Sequence, residues 1–367
     1  MYVYWTTAAF TQTGNSAIAS NSANYGGGVH VDQGRASWDA GQILSNTARW
    51  YGGGIYVASS GSAALSGTQV VSNAAQYGGG LYLNSGRTTF SSGSLLSNTA
   101  SRSGGGVYVV GSTAAFTQTG DSLVAYNSAT GASDGYGAGL FFETGRATLS
   151  GGQIANNTAE NNGGGVYVWR SDVTLDRAYV IRNTARQKGG GLYNHDGTLT
   201  LINATVSHNT VTSTSGGGLY AYGGATVLTY TTVASNTATS GGGGLHQAGG
   251  AITLQNTIVA GNGPANCNGA LTSNGYNLDS GATCNFNAMG DMTDTDPMLG
   301  PLTGQGVHPL LAGSPAIDAG VCVAGITTDQ RGVIRPQDGD SDGAAICDIG
   351  AFEFIWYNIY LPVVIRQ

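Results

Sequence analysis

The stretch RWYGGGIYVASS, Arg49 to Ser60, places three consecutive glycines directly before a strand-like Ile-Tyr-Val. Glycine loses more conformational freedom on folding than any other residue, so a triplet at the start of a strand needs a structural reason. The chain repeats the feature. Nine glycine clusters follow one another at spacings of 26, 26, 26, 33, 26, 26, 27 and 26 residues, and they begin at Gly26, Gly52, Gly78, Gly104, Gly137, Gly163, Gly189, Gly216 and Gly242. A fixed period of this length is typical of a solenoid.

Each period contains three short strand signals. One follows the glycines, one is an alternating aliphatic pair such as Val173 and Leu175, and one places an aliphatic residue three positions before an asparagine, as Val180 before Asn183. Three strands and three turns in 26 residues leave no room for a helix. Coils stacked about 4.8 Å apart would satisfy the backbone hydrogen bonds and bury every inward column. The sequence therefore predicts an all-β fold, a right-handed single-stranded parallel β-helix of the pectin lyase-like type with about nine to eleven coils.

The recurring asparagine has a predicted structural role. Asparagine tolerates left-handed backbone angles at a corner, and its amide can bond to the asparagines of the coils above and below. We predict such a ladder for Asn21, Asn46, Asn73, Asn98, Asn127, Asn157, Asn183, Asn209 and Asn236.

Composition narrows the class of protein. Of 367 residues, 62 are glycine, 41% are hydrophobic and only 9% are charged, with a net charge of −7. The hydrophobic share is sufficient for a packed core, so the glycines do not indicate disorder. The scarcity of Lys and Arg argues against a nucleic-acid partner, and the lack of an 18-residue apolar run argues against a membrane span.

All four cysteines lie in the last third of the chain. Cys267, Cys284, Cys322 and Cys347 lack the C-x-x-C spacing of a zinc site, so two disulfides in an oxidising compartment are predicted. Three connectivities are possible. We favour Cys267 with Cys284 and Cys322 with Cys347, because each pair closes a short local loop.

Two resemblances divide the chain. The repeat Asn-Thr-Ala followed by Gly-Gly-Gly-Ile-Tyr-Val resembles the repeats of the polymorphic outer membrane protein and related adhesin-type β-helix families over residues 1–262. In residues 263–354, NCNGALTSNGYNLDSGATC, LAGSPAIDAG, TDQRGVIRPQDGDSDG and CDIGAFEF resemble the choice-of-anchor Q domain. These resemblances imply a secreted bacterial protein held at the cell surface. Residues 355–367 form a short apolar tail, either a sorting segment or a capping strand.

The beginning of the chain indicates truncation. MYVYWTTAAFTQTGNS aligns with VYVVGSTAAFTQTGDS, Val107 to Ser122, so Met1 falls in the middle of a strand. We expect further coils and a signal peptide upstream, which reconciles the lack of a visible signal peptide with an extracellular or cell-surface location.

A catalytic site is one interpretation of the charged residues. Polysaccharide lyases and hydrolases need converging carboxylates, and the densest charged group lies at one turn of three consecutive coils. It consists of Glu143, Arg146, Arg170, Asp172, His195 and Asp196, beside Trp169. The alternative, which we favour, is a solvated ladder in which Arg146 pairs with Asp172 and Arg170 with Asp196.

The outward residue of the first strand is usually aromatic. The column contains His30, Tyr56, Tyr82, Tyr108, Phe141, Tyr167, Tyr193, Tyr220 and His246. Rings about 4.8 Å apart can stack and stiffen the sheet. They could also form an exposed strip that binds glycans or a partner, and the predicted ligand-binding residues are the six tyrosines from Tyr56 to Tyr220.

A calcium loop is suggested by Asp338, Asp340 and Asp342, which with Gly343 match the pattern D-x-D-x-D-G. The twelfth position is Ile349 instead of Glu, and Asp348 beside it is a candidate substitute.

The sequence as a whole predicts a secreted or surface-attached β-helix with an adhesive or structural role and an extracellular glycan or cell-surface partner. The alternatives are a polysaccharide lyase or glycoside hydrolase, and a carbohydrate-binding module.

Overall fold

The computed structural model describes residues 1–4 and 8–356. These residues form a parallel β-solenoid of three sheets, which are called sheets 1, 2 and 3 in the order in which each coil enters them after its glycines. Every strand pairs in parallel with its counterpart one coil away, as Leu81–Asn84 does with Ile55–Ala58. The described residues contain no helix, and hence no helix that could cross a bilayer. The predicted all-β solenoid is confirmed.

Sheet 1 has 19 strands, because most coils enter it once before and once after the glycines. The strands before the glycines are Ser22–Tyr25, Thr47–Tyr51, Ala74–Ala75, Thr99–Ala100, Ser128–Ala129, Thr158–Ala159, Thr184–Ala185 and Thr210–Val211. Those after them are Tyr2–Val3, Val29–Val31, Ile55–Ala58, Leu81–Asn84, Val107–Val110, Leu140–Phe142, Val166–Trp169, Leu192–His195 and Leu219–Ala221. Thr237–Gln247 runs through both positions, and Gly263–Asn268 completes the sheet.

Sheets 2 and 3 have 11 strands each. Sheet 2 consists of Ala9–Thr13, Arg35–Asp39, Ser62–Ser66, Arg87–Ser91, Ala115–Thr119, Arg146–Ser150, Asp172–Asp176, Thr198–Ile202, Ala225–Thr229, Ala251–Gln255 and Thr272–Ser273. Sheet 3 consists of Ala17–Ala19, Gln42–Leu44, Gln69–Val71, Ser94–Leu96, Leu123–Ala125, Gln153–Ala155, Tyr179–Ile181, Thr205–Ser207, Thr232–Ala234, Ile258–Ala260 and Leu278–Asp279. One core of Val, Ile, Leu, Phe and Ala side chains runs the length of the rod between the three sheets.

The glycine triplet is required by the neighbouring coil. Gly52 has a φ of 65°, a backbone angle that residues other than glycine rarely adopt. A Cβ on Gly53 would lie 2.4 Å from the carbonyl oxygen of Gly79 in the next coil. A residue with a side chain would therefore force the coils apart at this corner.

The asparagine ladder is present and buried. The side-chain amide of Asn157 donates to the Oδ1 of Asn183 at 2.9 Å and to the carbonyl oxygen of Val124 at 3.0 Å. Its own Oδ1 accepts from the backbone and side-chain nitrogens of Asn127, both at 2.9 Å. The same pattern joins Asn21, Asn46, Asn73, Asn98, Asn127, Asn157, Asn183, Asn209, Asn236, Asn262 and Asn266.

One detail of the corner differs from the prediction. The left-handed residue is the one before each ladder asparagine from Asn21 to Asn262, such as Ser45 with a φ of 54° and Arg182 with a φ of 55°. The asparagines themselves lack positive φ, because the left-handed residue turns the chain and leaves the next side chain directed into the coil.

The solenoid continues past the predicted boundary at residue 262. Gly263–Asn268, Thr272–Ser273 and Leu278–Asp279 pair with the preceding coil in sheets 1, 2 and 3. This last coil is short and lacks a glycine triplet, so its sequence carries no repeat signal. The ladder ends here, because Asn266 donates its amide to the Oδ1 of Asp279 at 2.6 Å.

The C-terminal segment after the last strand, residues 280–356, packs along the side of the rod and is called the covering segment. In the described residues it contains no strand after Leu278–Asp279. It shares a hydrophobic cluster with sheet 3, in which Leu310, Ala316 and Ile349 pack with Ile258 and Leu278. The segment 263–354 is therefore part solenoid and part covering layer instead of a separate body at the end of the rod.

A buried polar group fixes this segment to the rod. The guanidinium of Arg335 lies 4.2 Å from the ring centroid of Tyr230 and bonds to the Glu353 carboxylate at 2.6 Å, with both charged side chains fully buried. Gln330 accepts from the Thr205 hydroxyl at 2.6 Å. Burial, with the nearby Glu353 carboxyl, raises the pKa of Asp348 to about 8. The motif QRGVIRP thus serves as a docking element.

The predicted disulfide connectivity is confirmed. Cys267 bonds to Cys284 beside the last coil, and Cys322 bonds to Cys347 within the covering segment. Asp279 links the first disulfide to the ladder, because its Oδ2 accepts from the backbone nitrogen of Cys284 at 2.8 Å.

We expect Asn157→Ala to lower the free energy of unfolding by about 3 kcal/mol, because it removes several buried hydrogen bonds and leaves the backbone N–H and one side-chain N–H of Asn127 without an acceptor. Asn21→Ala is the matched control, since Asn21 holds the same position in an exposed outer coil and only donates to Asn46 within the ladder. Urea unfolding followed by circular dichroism measures both. Equal losses for the two variants would contradict a ladder that stabilises through burial.

Candidate functional site

The aromatic column of sheet 1 is stacked. Adjacent ring centroids lie 5.0 Å apart for Tyr82 and Tyr108, 4.7 Å for Tyr167 and Tyr193, and 5.2 Å for Tyr193 and Tyr220. The planes are close to parallel, with only 3° between the last pair. Each ring therefore turns its faces towards its neighbours along the rod.

The column is also covered from outside. In several coils the residue before the glycines lies over it, as Tyr51 contacts Tyr82 at 4.6 Å and Tyr136 contacts Tyr167 at 5.1 Å between ring centroids. In a later coil the ammonium of Lys188 lies 5.0 Å from the centroid of Tyr220. Tyr193 keeps only 4% of its surface exposed.

The expectation of an exposed aromatic strip is therefore wrong for most of its members. Of the six tyrosines predicted to bind a ligand, Tyr82, Tyr108, Tyr167, Tyr193 and Tyr220 are buried and Tyr56 is half-buried. Sequence alternation identified these residues as facing away from the core, but it could not show that a second row of side chains covers them. Burial raises the pKa of Tyr108 well above its usual range, so the phenol stays protonated.

The charged group does not act as a unit. Arg146 and Asp172 are opposite each other in sheet 2 and form the predicted ion pair at 3.8 Å, with 80% and 64% of their side chains exposed. Exposed pairs of this kind contribute about 0–1 kcal/mol. Glu143 is engaged elsewhere, because its Oε2 accepts from the Tyr108 hydroxyl at 2.5 Å.

The second predicted ion pair, Arg170 with Asp196, is not among the ion pairs of residues 1–4 and 8–356. The Arg170 guanidinium lies 5.5 Å from the Trp169 ring centroid. Asp196 approaches the Nε2 of His195 at 3.8 Å. The two residues hold equivalent left-handed turn positions, and their side chains leave that turn towards different neighbours.

His195 belongs to an aromatic cluster that the sequence did not predict. Its Nδ1 is 2.8 Å from the Tyr167 hydroxyl, its ring stacks on Trp169 at 6.0 Å, and Tyr222 meets it edge-on at 4.9 Å. Burial lowers the pKa of His195, which favours the neutral ring at pH 7. Tyr222 is 51% exposed. The signal was available, since Glu143, Trp169, His195 and Tyr222 all lie six residues after the first glycine of their cluster.

The acidic loop forms a different carboxylate set from the predicted one. Ligand oxygens of Asp318, Asp338 and Asp340 lie within 4.8 Å of one another. Asp342 is not a member, and its Oδ1 accepts from the backbone nitrogen of Ala344 at 2.8 Å. Asp348 is buried behind the set, where its Oδ1 accepts from the backbone nitrogen of Asp318 at 2.8 Å. Tertiary structure thus substitutes Asp318 for the third carboxylate of the motif.

One oxygen of the Asp338 carboxylate is available to coordinate a cation. Its Oδ2 accepts from the backbone nitrogen of Gly343 at 3.0 Å, while its Oδ1 is buried and has no hydrogen-bond partner among the described residues. Burial raises the pKa of Asp318, and the Asp340 charge adds to the effect. A hard cation with oxygen ligands fits such a set.

Comparison with known families agrees with this architecture. Residues 4–206 match the family described as the right-handed beta helix region, which is more than half of the 367-residue chain. The chain belongs to this family. No curated protein and no solved structure matched it. The match confirms the predicted handedness, and the covering segment lies outside the matched range.

We expect Tyr193→Ala to reduce the free energy of unfolding by about 3 kcal/mol, since it opens a cavity in the middle of the stack. Tyr193→Phe keeps the ring and should change it by less than about 1 kcal/mol. Tyr222→Ala, at an exposed ring, serves as the control with an effect within about 0.5 kcal/mol. Thermal unfolding of the three variants tests this ranking. A Tyr193→Ala protein as stable as the parent would mean that the stack contributes no packing.

Proposed function

We propose that the protein is an exported rod of the cell surface with a structural or adhesive role. One observation carries the proposal: the residue columns that recur in every coil are used for contacts between coils. The asparagines bond to one another inside the rod, and the tyrosines stack beneath a second row of side chains. Repetition of this kind provides stiffness and length, which suit a surface rod.

The disulfides support export. Both close short loops, of 17 and 25 residues, and none of the cysteines is free. Disulfides persist in oxidising compartments and are rare in the cytosol of mesophiles. The motifs of the covering segment resemble the choice-of-anchor Q domain, and the repeats resemble those of polymorphic outer membrane proteins. Both resemblances favour a bacterial surface protein held by an anchor.

The alternative of a polysaccharide lyase or hydrolase has weaker support. The side chains considered for catalysis are each engaged with a different partner: Glu143 with Tyr108, Arg146 with Asp172, and His195 with Tyr167. Acid–base cleavage of a glycan needs two carboxyl groups placed across one bond. A binding role does not require two carboxyl groups across one bond, and it is compatible with a rigid rod.

Surface labelling tests the location. Intact cells that produce the full chain should be labelled by an antibody raised against the purified protein. The protein as isolated should react with no thiol reagent under denaturing conditions, and four thiols should appear after reduction. Labelling only after cell lysis, together with four thiols before reduction, would contradict the proposal.

We also propose that Asp318, Asp338 and Asp340 bind Ca²⁺ and thereby fasten the acidic loop to the covering segment. Three close carboxylates repel one another, and a divalent cation would relieve that repulsion and complete the buried Oδ1 of Asp338. Binding to the folded state alone stabilises by about 2.7 kcal/mol when the cation is at 100 times its Kd.

We therefore expect Ca²⁺ to raise the Tm of the chain and a chelator to lower it. Asp340→Asn should abolish the response. Asp342→Asn should retain it, which makes it a matched control from the same loop, because Asp342 lies outside the carboxylate set. Differential scanning calorimetry with and without chelator measures the shift. An unchanged Tm in the parent, or the same response in both variants, would overturn the calcium proposal.

A further inference from the structure

A polar groove lies where the covering segment meets the middle of the rod. It has a volume of about 630 Å³. One wall is formed by the turns between sheets 2 and 3 in three consecutive coils, at 120–123, 150–153 and 177–179. The other wall is formed by Gly304, Gln305, Gln330 and Arg331 of the covering segment. Its size is within the range of small-ligand sites, about 300–1,000 Å³.

The groove exists because its middle turn, at 150–153, carries little side-chain volume. Gly151 and Gly152 follow each other with φ of 80° and 77°, a conformation that glycine adopts without strain. The floor of the groove is therefore backbone. On the opposite side, Gly306 packs directly on the Tyr179 ring, since a Cβ at Gly306 would lie 2.8 Å from the Tyr179 Cδ1. This contact fixes the orientation of the ring.

The walls present hydrogen-bonding groups that the protein does not use. Among residues 1–4 and 8–356, the side chains of Gln153, Gln305 and Asp121 and the Tyr179 hydroxyl make no hydrogen bond. Gln330, by contrast, is fully engaged, with its amide donating to the carbonyl oxygen of Ala178 at 3.0 Å. The free groups include both donors and acceptors, because two are amides, one is a carboxylate and one is a phenol.

The charges of the groove favour a neutral ligand. The Arg177 guanidinium is held 3.3 Å from the Asp176 carboxylate, and that of Arg331 lies 2.6 Å from Asp329. Both guanidinium charges are therefore compensated within the protein, whereas the Asp121 carboxylate forms no ion pair in the part of the chain that the structure describes. A polyanion would meet an uncompensated negative charge. A chain of sugar hydroxyls would meet amides and a carboxylate suited to bind it, beside an aromatic ring that provides apolar surface.

We propose that this groove binds a neutral oligosaccharide, with its hydroxyls bonded to Gln153, Gln305 and Asp121 and a sugar face against Tyr179. The inference rests on the proposed surface location, because that is where the protein would meet free glycan chains. Recognition is thereby assigned to the groove, where the covering segment meets the rod, instead of to the repeated columns of side chains.

Calorimetric titration of the purified full chain tests the groove. The probes are four neutral hexasaccharides, namely cello-, manno-, malto- and xylohexaose, with hexagalacturonate as the acidic comparison. We expect at least one neutral probe to bind. Gln153→Ala and Gln305→Ala should each weaken that binding by about fivefold or more, as expected for a lost hydrogen bond. Tyr179→Phe retains the ring against which the sugar packs, so it should weaken binding less than either glutamine variant.

Gln69→Ala is the matched control, because Gln69 holds the position of Gln153 three coils earlier in sheet 3 and lies outside the groove. Its binding should equal that of the parent. The proposal is overturned if no neutral hexasaccharide binds at millimolar concentration, if only hexagalacturonate binds, or if both groove variants bind as the parent does. These results concern the purified protein, so they are independent of surface labelling, which tests the location alone.

Discussion

The structure depends on one constraint: every coil must repeat the path of the coil beside it at the spacing of hydrogen-bonded strands, about 4.8 Å. The asparagine ladder enforces this at one corner, since each amide bonds to both neighbours and to a carbonyl oxygen of the sheet. The glycines permit it at the next corner, where a Cβ on Gly53 would strike the backbone of the adjacent coil. In each coil, therefore, hydrogen bonds hold neighbouring coils together at one corner, and the absence of side chains lets them approach at the next.

The same constraint decides which residues remain available for recognition. Side chains that recur at strand spacing meet their own copies, and aromatic rings at that distance stack face to face. Tyr167 and Tyr193 are thereby committed to the rod, although they point away from its core. Residues at places where the repeat is broken have no copies to stack on and remain available to a ligand. The polar groove, for example, appears only where the covering segment lies against the turns.

The covering segment joins the rod through buried charged side chains, each of which would be strongly destabilising without its partner. Arg335 and Glu353 are fully buried against Tyr230. The segment also shares a hydrophobic cluster with sheet 3. Docking is thus specific in register along the rod, which fixes both the acidic set around Asp318 and the wall of the groove that carries Gln305.

The amino-acid sequence by itself determined the coil. Its period, the inward aliphatic columns and the ladder asparagines follow from spacing, because a solenoid coil contacts only its immediate neighbours. The disulfide pairing follows from the short loop that each pair of cysteines closes. Tertiary structure decided the rest. The cover of Tyr51 over Tyr82 joins two positions of the repeat, and it depends on how the side chains of adjacent coils pack. The replacement of Asp342 by Asp318, the last coil after residue 262 and the groove beside Gln153 all join residues that no period relates. Such contacts depend on where a non-repeating segment folds back, and local spacing contains no information about that.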